Sequence, residues 1–127
     1  MTEPKGLAIL ICSPGVDRPD LCVTPLVHAL VARAMDCEVE VHFAGPAIRW
    51  LVEGVSDARY PTPAREKPIR AFIEEAAASG VRLLACSMAR SAWVADGERL
   101  VPECAGAVGA AAFVARTLDP AWGTMVF

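Results

Sequence analysis

Short apolar runs and helix-length amphipathic segments take turns along this chain, and the two periods predict its elements. Gly6–Cys12 (GLAILIC) is continuously apolar and bounded by the turn signal SPG, the pattern of a buried strand. Thr24 is a good N-cap and Pro25 suits the first helical position, so a helix is predicted to open there. Leu26, Val27, Leu30, Val31, Ala34 and Met35 then share one face at helical spacing. In Cys37–Gly45 (CEVEVHFAG), Val39, Val41 and Phe43 alternate with Glu38, Glu40 and His42. That alternation predicts a second strand with one face less deeply covered.

PAIRWLVEG reads as a short helix closed by Gly54, with Trp50 in the core. Ser56–Pro68 carries three prolines and reads as a loop, because periodic structure resumes at once. Ile69, Phe72, Ile73, Ala76 and Ala77 mark the next helix, ended by Gly80. Val81–Cys86 (VRLLAC) is the third strand, followed by a turn or short helix over Ser87–Val94. DGERLVPECAG reads as a loop. Ala107–Leu118 reads as a helix apolar nearly all round, and Trp122–Phe127 as a closing strand. No internal repeat or low-complexity tract interrupts the series.

Strand, helix and strand in regular succession predict a parallel sheet with helices on both faces, since parallel pairing demands crossovers. Ligands bind such sheets at the carboxyl ends of the strands. Cys12 and Cys86 both stand at predicted carboxyl ends. The helix over Ala107–Leu118 needs cover on both sides, from the sheet on one and from loops or a neighbouring subunit on the other.

Composition removes several functions. A chain of 127 residues fits one domain, 1–127, with a core of its own. A net charge of -3 without a basic stripe excludes electrostatic recognition of nucleic acid. No apolar run is long enough to span a membrane, and Met1–Lys5 is not followed by a signal-peptide core, so a cytoplasmic setting is expected. The five cysteines (Cys12, Cys22, Cys37, Cys86, Cys104) are odd in number and contain no C-x-x-C pair. Neither a disulfide framework nor a closed zinc site fits that spacing, and no metal or cofactor is expected.

Each thiol is then judged on its setting, and LLACSMAR (Leu83–Arg90) poses the sharpest case. A thiolate is favoured at a helix N-terminus, and Cys86 closes a strand just before a helical turn. Ser87 could donate to the sulfur, Arg90 could add positive potential one turn on, and Met88 could line a sulfur pocket. The competing reading is a buried core cysteine, the commoner role for a lone Cys after an apolar strand. Trp93 reads in the same two ways, as a roof over the thiol or as an ordinary buried aromatic. A phosphatase loop fails for want of glycines and a correctly spaced arginine. A Cys/His protease would need His28 or His42, both of which read as ordinary partly buried histidines. Asp17, Asp20 and Glu103 read as solvated loop carboxylates rather than a cluster.

The order of these segments resembles the DsrE/DsrF-like family of small sulfur-relay proteins over nearly the whole chain. The likeness rests on LAILIC with SPGVD, PLVHALVARAM leading into CEVEVHFAG, VRLLACSMAR, and LVPECAGAVGAAAFVARTL with WGTMVF. Its most specific element is ACSM, where Cys86 falls on the family's sulfur-carrying cysteine. The resemblance implies a three-layer α/β/α sandwich on a mainly parallel sheet of about five strands. It also implies a trimer or hexamer, either a homo-oligomer or an assembly with sister subunits, and a persulfide on Cys86 exchanged between donor and acceptor proteins. Such a chain would act as a sulfurtransferase or carrier.

Two other readings stay open. One is a thiol redox sensor in which Cys86 is resolved by Cys104 or Cys12. The other is an oligomeric ligand-binding module whose pocket is built from the SPGVDRPD and WVADGER loops, with Cys86 as packing.

Overall fold

The computed structural model describes residues 5–127, so the opening Met1–Pro4 lies outside the described residues. Five strands form one sheet: β1 (Gly6–Ile11), β2 (Glu38–Phe43), β3 (Arg82–Cys86), β4 (Cys104–Val108) and β5 (Trp122–Val126). Their order is β4-β3-β2-β1-β5, and every neighbouring pair is parallel. Helices α1 (Pro19–Ala34), α2 (Ile69–Ala78), α3 (Ser87–Trp93) and α4 (Ala110–Leu118), with a 3-10 helix at Gly45–Leu51, make the crossovers. The predicted α/β sandwich is the observed fold.

The two faces of the sheet are built differently. On one, Ile9, Ile11, Val39, Val41, Phe43 and Leu83 pack with Leu26, Ala29, Trp50, Ile69 and Ile73 into a continuous apolar core. Trp50 is fully buried and satisfies its indole by donating from Nε1 to the Pro14 carbonyl at 2.9 Å.

The other face carries Glu40 and His42, both buried, at 4% and 3% exposure. The alternation in β2 predicted lighter cover here, and that expectation is corrected: α4 closes over both. Arg116 of α4 reaches down and grips the Glu40 carboxylate with Nε at 3.2 Å and Nη2 at 2.7 Å. Arg82 adds a bond at 3.3 Å, and His42 donates from Nε2 at 3.1 Å. The guanidinium of Arg116 also lies 3.7 Å from the centre of the Trp122 ring, and Phe113 meets the His42 ring edge-on. Trp122 in turn covers Gly6, where a Cβ would lie 2.4 Å from the ring. A charge can be buried here because it is paired several times over.

Three further elements depart from expectation. α1 opens at Pro19, earlier than Thr24, and Pro25 lies inside it. Pro19 supplies the same preset φ at the helix start, with Asp20 in the first turn, so the earlier proline wins. β4 occupies Cys104–Val108, a segment read partly as loop and partly as helix. It is a short edge strand of small residues, largely exposed, and so lacks the alternation that marks a half-buried strand. α4 therefore begins at Ala110, and none of its residues is fully buried; Leu118 is 77% exposed.

Burial pushes the Glu40 carboxyl up, but the Arg116 and His42 hydrogen bonds outweigh it and hold the group below its ordinary 4.5. A depressed carboxyl contributes stability at pH above its unfolded value, and that contribution is lost as pH falls through the folded one. Glu40→Ala is expected to cost roughly 2–4 kcal/mol in urea unfolding at neutral pH. The deficit relative to the parent should shrink as pH falls below the ordinary glutamate range. A pH-independent deficit would show that packing, not charge, holds α4.

Candidate functional site

β3 delivers Cys86 to the carboxyl edge of the sheet, where the chain turns directly into α3. Cys86 is the N-cap of α3, with extended backbone (φ -68, ψ 124), and its side chain makes no capping bond. The thiol is half-buried, against the core on one side and next to Val108 of β4 in register. The cysteine thus stands half-buried at a strand end.

The companion residues are arranged differently from expectation. The Ser87 hydroxyl donates to the Val108 carbonyl at 3.1 Å, so it ties α3 to β4 instead of serving the sulfur. Met88 is 81% exposed and projects into solvent, so it lines no sulfur pocket. Arg90 is exposed and lines a cavity with Ser91, Val94, Ala95, Asp96 and Glu98, toward the far end of α3. Trp93 is exposed at that end, neither a roof over the thiol nor a core aromatic.

Glu98 organises the far end. Its carboxylate takes two bonds from Arg49, both at 2.8 Å, and a third from the Ala95 N–H at 2.9 Å. Those bonds hold the carboxyl down to about 2. Arg49 also donates to the Trp93 carbonyl at 2.9 Å, so one ion pair fixes the end of α3 and the loop after it. Sequence reasoning missed this pair, since Arg49 and Glu98 belong to distant segments.

Cys12 ends β1 on the same edge. Its backbone N–H and that of Ser13 both donate to the Phe127 carbonyl, at 2.9 and 3.3 Å, and its thiol points at the same oxygen at 3.4 Å. Ile11, Phe43 and Ala85 lie in one row across β1, β2 and β3, so Cys12 and Cys86 are two strand spacings apart, about 10 Å. Cys104 pairs opposite Leu83, three residues before Cys86, which puts it roughly 11 Å away. A disulfide needs Cα atoms within about 7 Å, so neither thiol reaches Cys86 without backbone movement. The Cys104 thiol instead points at the Gly106 carbonyl at 3.6 Å.

The other candidates separate as well. Asp20 pairs with Arg18, and Glu103 with Arg70, so no carboxylate cluster forms. The SPGVDRPD loop borders a 510 Å³ open cavity with Arg59, Tyr60 and Pro61, whereas the WVADGER loop borders the separate cavity beside Arg90. The two loops thus border separate cavities. His28 is exposed, with its Nδ1 on the Thr24 carbonyl, and His42 is fully buried on Glu40; neither meets Cys86. No helix among the described residues is long and apolar enough to cross a membrane.

With the fold and strand-end thiol in place, comparison with known families is decisive. A model of the DsrE/DsrF-like family matches residues 5–119. The chain belongs to that family. Among curated proteins, none matches. Solved structures share the fold, among them the following two. YchN from E. coli superposes with a TM-score of 0.74 at 12% identity, over 96% of this chain and 99% of that one. MTH1491 from Methanobacterium thermoautotrophicum, a protein of unknown function, gives 0.64 at 18% identity, over 98% of this chain and 99% of the other. At such identities the likeness concerns the fold.

The thiols of this family member should differ in accessibility. Cys22 is fully buried in the core and burial raises its pKa well above the ordinary thiol value, while the other four cysteines are half-buried. A disulfide-exchange titration of the native protein is expected to leave Cys22 unmodified until denaturant is added. Modification of Cys22 at the rate of Cys86 would show that the core opens far more readily than its packing implies.

Proposed function

We propose that this protein is a cytoplasmic sulfur-relay protein that carries sulfane sulfur as a persulfide on Cys86. The observation that supports it most is the placement of Cys86: a half-buried thiol at the carboxyl end of a central-layer strand, in a member of the DsrE/DsrF-like family. The family is linked to sulfur relay in general, and the carrier role of Cys86 is our reading. A reducing compartment suits it, because an exchanging thiol must not be locked in a disulfide.

The chemistry is exchange at sulfur. The Cys86 thiolate attacks the outer sulfur of a donor persulfide; the Cys86–sulfur bond forms and the donor's sulfur–sulfur bond breaks. The donor leaves as a thiolate, and Cys86 now holds the outer sulfur with its proton. An acceptor thiolate then attacks that same sulfur, and Cys86 leaves as thiolate. No net oxidation occurs in either step, so neither metal nor redox cofactor is required. The distances from Cys86 to Cys12 and Cys104 favour this route over an intrachain disulfide switch.

The reading includes a homo-oligomer, trimer or hexamer. The observation behind it is the unburied α4, whose Val114 and Leu118 face solvent in the single chain. Cover from a neighbouring copy would bury that face and shelter the persulfide edge.

Intact-mass spectrometry after brief exposure to polysulfide tests the carrier role. The parent is expected to gain sulfur atoms that reductant removes, while Cys86→Ser loses most of that gain. Equal loading of the parent and Cys86→Ser would move the role to another thiol, and no loading of the folded parent would end the proposal.

A further inference from the structure

After β3 the chain makes an excursion over Ser87–Glu98 before it is tied down again. Its near end is Cys86, the last residue of β3. Beyond its far end the backbone is stitched to the segment after the 3-10 helix. The Glu53 N–H donates to the Arg99 carbonyl at 2.8 Å and the Val101 N–H to the Leu51 carbonyl at 2.7 Å. Between these anchors little is buried: α3 buries Ala89 alone, whereas α2 buries three residues and α1 five. A helix of seven residues does not stand on its own hydrogen bonds in water. α3 must therefore be held from its ends.

Side chains hold both ends. At the start, the Ser87 hydroxyl donates to the Val108 carbonyl at 3.1 Å. At the finish, the Trp93 carbonyl belongs to the last turn, whose carbonyls lack partners inside the helix. Arg49 Nη1 donates to it at 2.9 Å. The same guanidinium forks onto the two oxygens of Glu98, each at 2.8 Å, and Glu98 accepts from the Ala95 N–H at 2.9 Å. One arginine thus binds the last turn of α3 and the loop that leaves it.

Arg49 can act as a clamp because its own base is fixed. Ile48 and Trp50 on either side of it are fully buried, and the Val52 N–H donates to the Arg49 carbonyl at 3.1 Å. The 3-10 helix Gly45–Leu51 packs against β3 as well as α3, so Arg49 and the strand that carries Cys86 belong to one body.

We infer, on the carrier role proposed above, that Arg49 is a positioning residue for exchange at Cys86, acting through α3 and Glu98. Attack at sulfur runs in line with the sulfur–sulfur bond that breaks, so the direction of the Cys86 side chain sets the rate along with its access. Cys86 is the N-cap of α3, where extended backbone passes into helix. That junction keeps one direction only while the helix after it stays wound. Arg49→Ala leaves the Trp93 carbonyl and both Glu98 oxygens without their guanidinium, and α3 unwinds from its far end toward Cys86.

The time course of sulfur loading from polysulfide, read by intact mass on the full chain, tests the inference. Arg49→Ala is expected to load roughly tenfold more slowly than the parent. Glu98→Ala is slowed in the same sense, and the double variant is no slower than Arg49→Ala, because the two side chains act as a unit. Arg49→Lys keeps the charge without the planar fork and recovers only part of the rate. Cys22 stays unmodified in every variant until denaturant is added, which separates a lost position at Cys86 from a loosened core. Loading of Arg49→Ala at the parent rate, full recovery in Arg49→Lys, or Cys22 turning reactive as loading falls would each overturn the inference and leave the carrier reading standing. A folded parent that gains no sulfur would end the carrier reading and the role of Arg49 with it.

Discussion

The second face of the sheet depends on one carboxylate. Glu40 sits on the central strand where an apolar residue would ordinarily lie, and its burial would be costly alone. Two guanidinium groups and an imidazole meet it, and the stronger of these bonds comes from α4. α4 has little apolar area inside to hold it, since none of its residues is fully buried. The ion pair therefore does for this layer what hydrophobic packing does for the α1 and α2 layer. Arg116 also rests on Trp122, and Trp122 on Gly6, so the same contact fixes β5 against β1. Buried pairs add less net stability than apolar packing would, but they specify one docking position.

That constraint shapes the carboxyl edge. The return from β4 through α4 to β5 crosses the sheet from one outer strand to the other, so the topological switch point falls between β1 and β5. Such a crevice is the usual ligand position in an open α/β sheet. Here it is stitched: the Phe127 carbonyl takes the N–H groups of Cys12 and Ser13, and the Cys12 thiol points at the same oxygen. Cys12 is thereby committed to closing the edge. Cys86, two strands away, has no such engagement.

Much of the fold was legible because the apolar periodicities of β1, β2, β3 and α2 are set by burial in a continuous core. β4 was not, because an exposed edge strand of small residues has no buried face to imprint a pattern on Cys104–Val108. The start of α1 was misread because two prolines six apart each suit a first helical turn, and local preference does not choose between them. At the site, Cys86 was legible from its place at the end of an apolar run. Its companions were not: Ser87 turns toward Val108, and Arg90 toward the cavity near Glu98, through contacts with segments distant in sequence. The same applies to Glu40, whose partner Arg116 lies 76 positions along the chain.

The separation of the thiols carries the functional argument further than any single side chain. A switch that works by disulfide formation needs two thiols within reach, and the register of the sheet keeps Cys12 and Cys104 about 10 Å or more from Cys86. A carrier needs the reverse: one thiol accessible to other proteins and isolated from its own chain's thiols, so that a bound sulfur is not lost to an intrachain disulfide. Parallel strands in fixed register supply that isolation, because a residue at the end of β3 cannot approach one at the start of β4 without breaking the ladder between them. On the proposed carrier role, the rigidity of the sheet thus bears on the chemistry by keeping Cys86 apart from Cys12 and Cys104.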